Sequence, residues 1–166
     1  WVFRAGLRYV YRKGDFELLD LELDGTYEAW SWLDGTDNRL TLLNRGSLPD
    51  PFGGRAERLV GDRRRDLQRL VAGRTFDAVV DLAAYTGEDG RRAAEVFQGR
   101  VGHHVMISTG QVYLVRDGCP RPASERDYEG PLLPRPAEPN ELEEWTYGVD
   151  KRACEDALAE AHARHG

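Results

Sequence analysis

The sequence predicts an α/β protein built from βαβ units around a parallel sheet, and three observations carry that reading. From Leu40 onward, short apolar runs alternate with helical patterns. One of those runs, residues 76–82 (Phe-Asp-Ala-Val-Val-Asp-Leu), is nearly continuous in apolar character, as a strand covered on both faces requires. Residues 146–164 form an alanine-rich stretch whose composition favours a helix.

Taken in order, residues 40–43 read as a strand that ends at Asn44-Arg45-Gly46. A loop holding Pro49, Pro51, Gly53 and Gly54 leads to a short strand at 58–60. Leu67, Leu70 and Val71 recur at helical spacing, and Gly73 closes that helix. The strand at 76–82 is followed by a helix at 88–98, with Ala93, Ala94, Val96 and Phe97 available to face the sheet. A strand at 105–107 runs into Ser108-Thr109-Gly110. Six of the eight prolines fall between Gly118 and Pro139, which marks a long irregular loop before the last helix. The first 38 residues read in two ways. Either residues 8–11 and 16–23 form a hairpin about Arg12-Lys13-Gly14-Asp15, or residues 18–23 are the first strand of the sheet, with Asp24-Gly25-Thr26 as its turn.

A chain of 166 residues, 40% apolar, suits one respectable core. Its net charge of −6 argues against nucleic acid, whose phosphates are met by clustered Lys and Arg. The run Arg63-Arg64-Arg65 lies between Asp62 and Asp66 and reads as a solvated helix face. Cys119 and Cys154 are the only cysteines, without a CxxC pair or histidines at ligand spacing, so neither a disulfide framework nor a metal site is expected and a reducing, cytoplasmic setting fits. No apolar run approaches the roughly 18 residues that span a bilayer. Arg4, Arg8, Arg12 and Lys13 interrupt the apolar residues of the amino end, which makes a poor signal peptide. The first residue is Trp1, and the sequence reads as a segment of something longer.

Two places could carry chemistry. Tyr147 and Lys151 stand four apart at the start of the last helix, on one face and about one turn from each other. A tyrosine hydroxyl ordinarily titrates at about 10. A fixed cation beside such a group stabilises the phenolate and suits it to general acid/base work. The alternative is a surface Lys151 ion-paired with Glu155, also four residues away. Thr109, beside Ser108, follows a strand directly, and strand carboxyl ends are where open α/β sheets assemble ligand sites. A hydroxyl there can orient a substrate oxygen; the alternative is a turn-forming Ser/Thr pair.

Together these segments resemble the extended short-chain dehydrogenase/reductase family, in its NAD-dependent epimerase/dehydratase branch. Residues 105–113, Val-Met-Ile-Ser-Thr-Gly-Gln-Val-Tyr, are similar to the family segment in which a Ser or Thr four residues before a Tyr is the catalytic hydroxyl, which assigns that part to Thr109. Residues 145–151, Trp-Thr-Tyr-Gly-Val-Asp-Lys, resemble the family's Tyr-x-x-x-Lys segment, including the glycine after the tyrosine. Residues 76–84 look like the strand whose end lines the cofactor, through Leu82, Ala83 and Ala84. Asp62 and Arg63 sit in a segment similar to the one that contacts adenine, and Asn44 and Arg45 occupy the strand end that meets the adenosine ribose. The five segments occur in family order and cover residues 40 to 166.

The resemblance implies a Rossmann-like doubly wound parallel sheet with helices on both faces, binding NAD or NADP. Asn44-Arg45 lacks the acid that holds the ribose hydroxyls of NAD and supplies a cation for a 2′-phosphate, a slight lean to NADP. It also implies an epimerase, dehydratase or reductase of a nucleotide sugar or a related hydroxyl or carbonyl compound. Tyr147 then exchanges the proton, Lys151 holds the nicotinamide ribose, Thr109 orients the substrate, and a homodimer forms through the Tyr/Lys helix. The family's glycine-rich first turn is not matched: residues 24–30 keep one glycine and put Asp24 and Glu28 where a phosphate would be repelled. The expected organisation is an atypical segment at 1–38 and a Rossmann-like NAD(P)-binding domain at 39–166 that stops before the family's substrate region. A non-catalytic binding module on the same fold is the rival expectation.

Overall fold

The structure, a computed structural model, describes residues 7–9, 18–21, 39–47, 49–50 and 52–165. Its chain divides into two compact units, Trp1–Leu70 and Val71–Gly166, a division that falls within the stretch expected to form one domain. The architecture is mixed α/β, with short strand pairs and four α-helices among the described residues.

In the first unit, β1 (Leu7–Tyr9) pairs antiparallel with β2 (Leu18–Leu21), which favours the hairpin reading of the amino end. The expected turn at 12–15 and the expected degenerate glycine turn at 24–30 lie outside the described residues. Strand β3 (Thr41–Asn44) pairs in parallel with β4 (Glu57–Val60), in register from Thr41 opposite Glu57 to Asn44 opposite Val60. A parallel pair needs a crossover of about a dozen residues, and residues 45–56 supply it. Asp50 organises this crossover: its Oδ1 accepts from Phe52 N at 2.9 Å and its Oδ2 from Gly54 N at 2.6 Å. Those donors hold its carboxyl below the ordinary range. Gly53 and Gly54, at φ 57° and 81°, adopt the left-handed backbone the turn requires. Phe52 and Ala56 are buried, with Leu40 and Leu42 packed against them. Helix α1 (Arg63–Leu70) follows β4, with Leu67 as its buried residue and Arg64 and Arg65 exposed, as a solvated basic face predicts.

In the second unit, β5 (Phe76–Asp81) pairs in parallel with β6 (Val101–Met106), and α2 (Gly87–Phe97) makes the crossover. A capping box starts α2: Asp89 N donates to Thr86 Oγ1, and Thr86 N donates back to Asp89 Oδ2. Ala93 and Phe97 are buried, and the Phe97 ring meets Phe76 edge-on at 6.3 Å, so α2 covers one face of the pair. Along β5, Asp77 and Ala78 near its start are exposed, Val79 and Val80 are half-buried and Asp81 is buried. Strand β6 begins four residues before the apolar run at 105–107; Gly102, His103 and His104 hide it from a search for apolar character.

After β6 come the short helix α3 (Gln111–Leu114), a loop with a single 3-10 turn at Glu125–Asp127, and the 27-residue α4 (Pro139–His165). Helix α4 starts seven residues earlier than its alanine-rich part. Pro139 takes the first helical position, where a missing N–H goes unnoticed and φ is already suitable. Helices α2 and α4 cross closely at Gly90: a Cβ there would lie 2.7 Å from the Cys154 carbonyl. No described helix is long and apolar enough to cross a membrane, and no cluster of three or more metal-ligating side chains occurs among the described residues. Cys119 is half-buried and Cys154 buried.

Candidate functional site

Helix α4 carries the two residues of the Tyr-x-x-x-Lys segment, and they have different surroundings. Lys151 is buried, at 2% exposure. Its Nζ donates to Ala84 O at 2.8 Å and to Ile107 O at 2.7 Å, and lies 4.7 Å from the centre of the Tyr85 ring. Ile107 directly follows β6 and Ala84 comes three residues after β5, so this ammonium fastens α4 across the carboxyl ends of both strands. A surface lysine paired with Glu155 is thereby excluded. A buried cation demands such partners, because desolvation without them is prohibitive.

Tyr147, one turn earlier, is 38% exposed. Its ring lies 6.2 Å from that of Tyr85, and its hydroxyl has no hydrogen-bond partner among the described residues. Tyr85 therefore touches both members of the pair. Sequence reasoning passed it over, although it directly follows the Ala83-Ala84 already assigned to the cofactor wall. Leu82 and Ala83 are exposed, whereas Ala84 is fully buried and offers its carbonyl to Lys151.

Thr109 is half-buried at the entry to α3. Its Oγ1 accepts from Gln111 N at 3.3 Å and its carbonyl from Val112 N at 3.4 Å, so the turn-forming role is present. Its neighbours tie it to α4 on both sides. Ile107, two residues before, receives Lys151. Gln111, two residues after, lies against Gly148: a Cβ at that glycine would sit 2.8 Å from Gln111 O and 2.6 Å from a Val115 methyl. The glycine after the tyrosine thus has a steric reason, and Thr109 and Tyr147 flank one helix contact. Ser108 Oγ, beside Thr109, is buried and without a hydrogen-bond partner among the described residues.

Arg152, next to Lys151 and 8% exposed, reaches the opposite way. Its Nη1 donates to Val112 O and its Nη2 to Tyr128 O, each at 2.8 Å, while the guanidinium lies 3.8 Å over the Tyr128 ring. Tyr128 in turn donates its hydroxyl to Asp156 Oδ1 at 3.0 Å. Burial, then the charge of Glu155 and the bond to Asp156, push the Tyr128 phenol far above its ordinary value, against the opposing pull of Arg152. This clamp holds the proline-rich loop on α4, and no sequence motif announced it.

In the first unit, the residues expected to meet adenosine have local partners. Asn44 Oδ1 accepts from Gly46 N at 3.0 Å and from Arg58 Nε at 3.2 Å. Asp62 caps α1: its Oδ1 accepts from Arg64 N at 2.8 Å, and its Oδ2 lies 3.6 Å from Arg65. Asp66 Oδ2 answers by accepting from Asp62 N at 2.9 Å. Arg63 is half-buried and Arg45 exposed.

Comparison with family models, with curated proteins and with solved structures returned no match. What the second unit offers chemically is an exposed phenol and a buried ammonium one turn apart on α4, with the ammonium at the ends of two parallel strands, and a threonine hydroxyl engaged in the turn that leads into α3.

Proposed function

We propose that the chain is an NAD(P)-dependent epimerase, dehydratase or reductase of the extended short-chain dehydrogenase/reductase kind, acting on a hydroxyl or carbonyl group of a small molecule, with a nucleotide sugar as the leading class. The observation that carries the reading is the double hydrogen bond of Lys151 to Ala84 O and Ile107 O, which fixes the Tyr147/Lys151 face of α4 at the carboxyl ends of β5 and β6. Ligand sites of open α/β sheets lie there. The scaffold that goes with this reading is a Rossmann-like doubly wound sheet, supported by two parallel strand pairs. A cytoplasmic homodimer is part of the same proposal.

The residues present fit the nicotinamide end of a dinucleotide. Exposed Leu82, Tyr85 and Tyr147 offer an apolar and aromatic ledge, with a buried cation behind it. When bound, the cofactor supplies hydride exchange with the substrate carbon. Tyr147 gives or takes the proton at the substrate oxygen, Thr109 orients that oxygen, and Lys151 places positive charge behind the phenol. Replacing Tyr147 by Phe removes the proton and leaves the ledge, so turnover should fall by about 10²-fold or more, while cofactor affinity changes less than about twofold. Wild-type turnover of the variant with the true substrate would end the proposal. In the same titrations Arg45→Ala should weaken NADP more than NAD; equal loss for both would remove the lean to NADP.

A second reading, a non-catalytic module on the same fold, is favoured by the first unit. There the acceptor oxygens of Asn44 and Asp62 are engaged within the unit, by Gly46 and Arg58 and by Arg64. Calorimetric titration separates the two. Micromolar binding of NAD(H) or NADP(H) supports the enzyme, and no heat at millimolar cofactor supports the module.

A further inference from the structure

The proline-rich loop and α3 enclose an open cavity of about 620 Å³, within the range of small-molecule sites. Tyr147, Lys151 and Thr109 are not among the residues that line it. Its walls combine Tyr113, Leu114, Pro122 and Leu133 with two arginines, Arg116 and Arg121, and none of the described lining residues is acidic. The frame is main chain: Asp117 N donates to Pro131 O and Leu133 N to Val115 O, each at 2.8 Å, about the Arg116–Leu132 bridge. Arg116 is seated on Gly130, whose φ of 141° and lack of room for a Cβ let the guanidinium lie flat against the backbone. Its Nε is buried without a hydrogen-bond partner among the described residues.

Asp127, outside the lining, partly balances Arg116: its Oδ2 accepts from Ser124 N at 2.9 Å and Ser124 Oγ at 2.8 Å, and these bonds together with the charge of Arg116 hold its carboxyl low. Arg121 is exposed and has no ion pair among the described residues. We propose that this cavity is a binding site for an organic anion with a flat apolar body, its carboxylate or phosphate held by Arg116 and Arg121 and its ring lying on Leu114, Pro122 and Leu133. Guanidinium groups match such oxyanions in geometry, and a cation already fixed by the backbone needs little reordering on binding. The site is independent of proton transfer at Tyr147 and stands or falls separately.

Fluorescence titration with anilinonaphthalene sulfonate, an aromatic anion, tests it on the full chain, with phenyl phosphate and benzoate as competitors. The expected result is saturable binding that both competitors displace and that Arg121→Glu, an exposed and fold-neutral change, weakens by about tenfold or more. Stronger displacement by one competitor identifies the anionic group. Tyr147→Phe and Arg164→Glu should each bind within about twofold of wild type. Equal affinity of wild type and Arg121→Glu, or no saturable binding by wild type up to about 1 mM dye, overturns the proposal.

Discussion

The two units treat their candidate residues in opposite ways. In Trp1–Leu70, the polar groups at the ends of β3 and β4 are largely satisfied within a few residues. Asn44 bonds Gly46, Asp62 bonds Arg64, and Asp66 bonds back to Asp62. In Val71–Gly166, Lys151 reaches Ala84 and Ile107, and Arg152 reaches Val112 and Tyr128, across 24 to 67 residues of sequence. Local bonds of the first kind form in any chain with a turn or a helix start, and they leave no need for a ligand. Long-range bonds to buried cations form only if the fold pays for desolvating them, which marks the second unit as the place where this sequence is most specific.

The largest expected effect comes from the long-range side. Arg152→Ala strips one buried and one part-buried carbonyl of their donors and removes the cation from the Tyr128 ring. It should lower unfolding free energy by about 3 kcal/mol, read from the urea midpoint. Arg152→Met keeps the packing of the stem and should recover only a minor part. If either variant unfolds with the wild-type midpoint, the clamp contributes nothing and the contrast between the units is lost.

A smaller effect is expected from the local side. Asp62→Ala removes the cap of α1 and should cost about 1 kcal/mol. Asp62→Asn, which keeps an acceptor, should restore most of it. A loss as large as that of Arg152→Ala would show that Asp62 does more than start its own helix. Cofactor titration of the same variants then asks whether the acid meets adenine at all.

This contrast also explains what the sequence made legible. Periodicity and apolar runs located β3, β4, α1, β5 and α2 to within a few residues, because each is written in consecutive side chains. The first four residues of β6 were hidden by Gly102, His103 and His104, which hold their place in the strand by pairing with β5 and not by apolar character. The start of α4 was hidden in the same way, since residues 139–145 carry a proline and three glutamates and little alanine. For the site, the Tyr/Lys spacing drew attention to α4, and the glycine between them proved to be a contact with α3. Tyr85, Tyr128 and Arg152 had no motif: their partners lie far along the chain, and only the folded packing brings them together. That Asp77 and Ala78 of β5 lie exposed was equally illegible, because an apolar run states what a strand tolerates and not what lies against it.

The smallest expected effects are those of pH, and they separate the two kinds of interaction by sign. Asp50 and Asp66 in the first unit have carboxyls held low, chiefly by backbone donors, and Asp127 adds a third in the second unit. The stability they confer is complete above the ordinary carboxylate value of about 4 and is lost as pH falls through their lower folded values. Tyr128 works in the reverse direction, because its folded phenol is held far above the ordinary value. Below about pH 10 both folded and unfolded chains keep that proton and the contribution is whole. Above it the unfolded chain releases the proton while the folded chain retains it, so stability declines with rising pH. Urea midpoints of wild type and Tyr128→Phe between about pH 8 and pH 10.5 should therefore converge as pH rises, with the variant the flatter of the two. Tyr113→Phe should flatten the same limb, since burial raises that phenol too. Parallel curves for wild type and Tyr128→Phe would mean that the loop lifts from α4 before its tyrosine titrates, and that the clamp of Arg152 is the weaker, not the stronger, of the two arrangements.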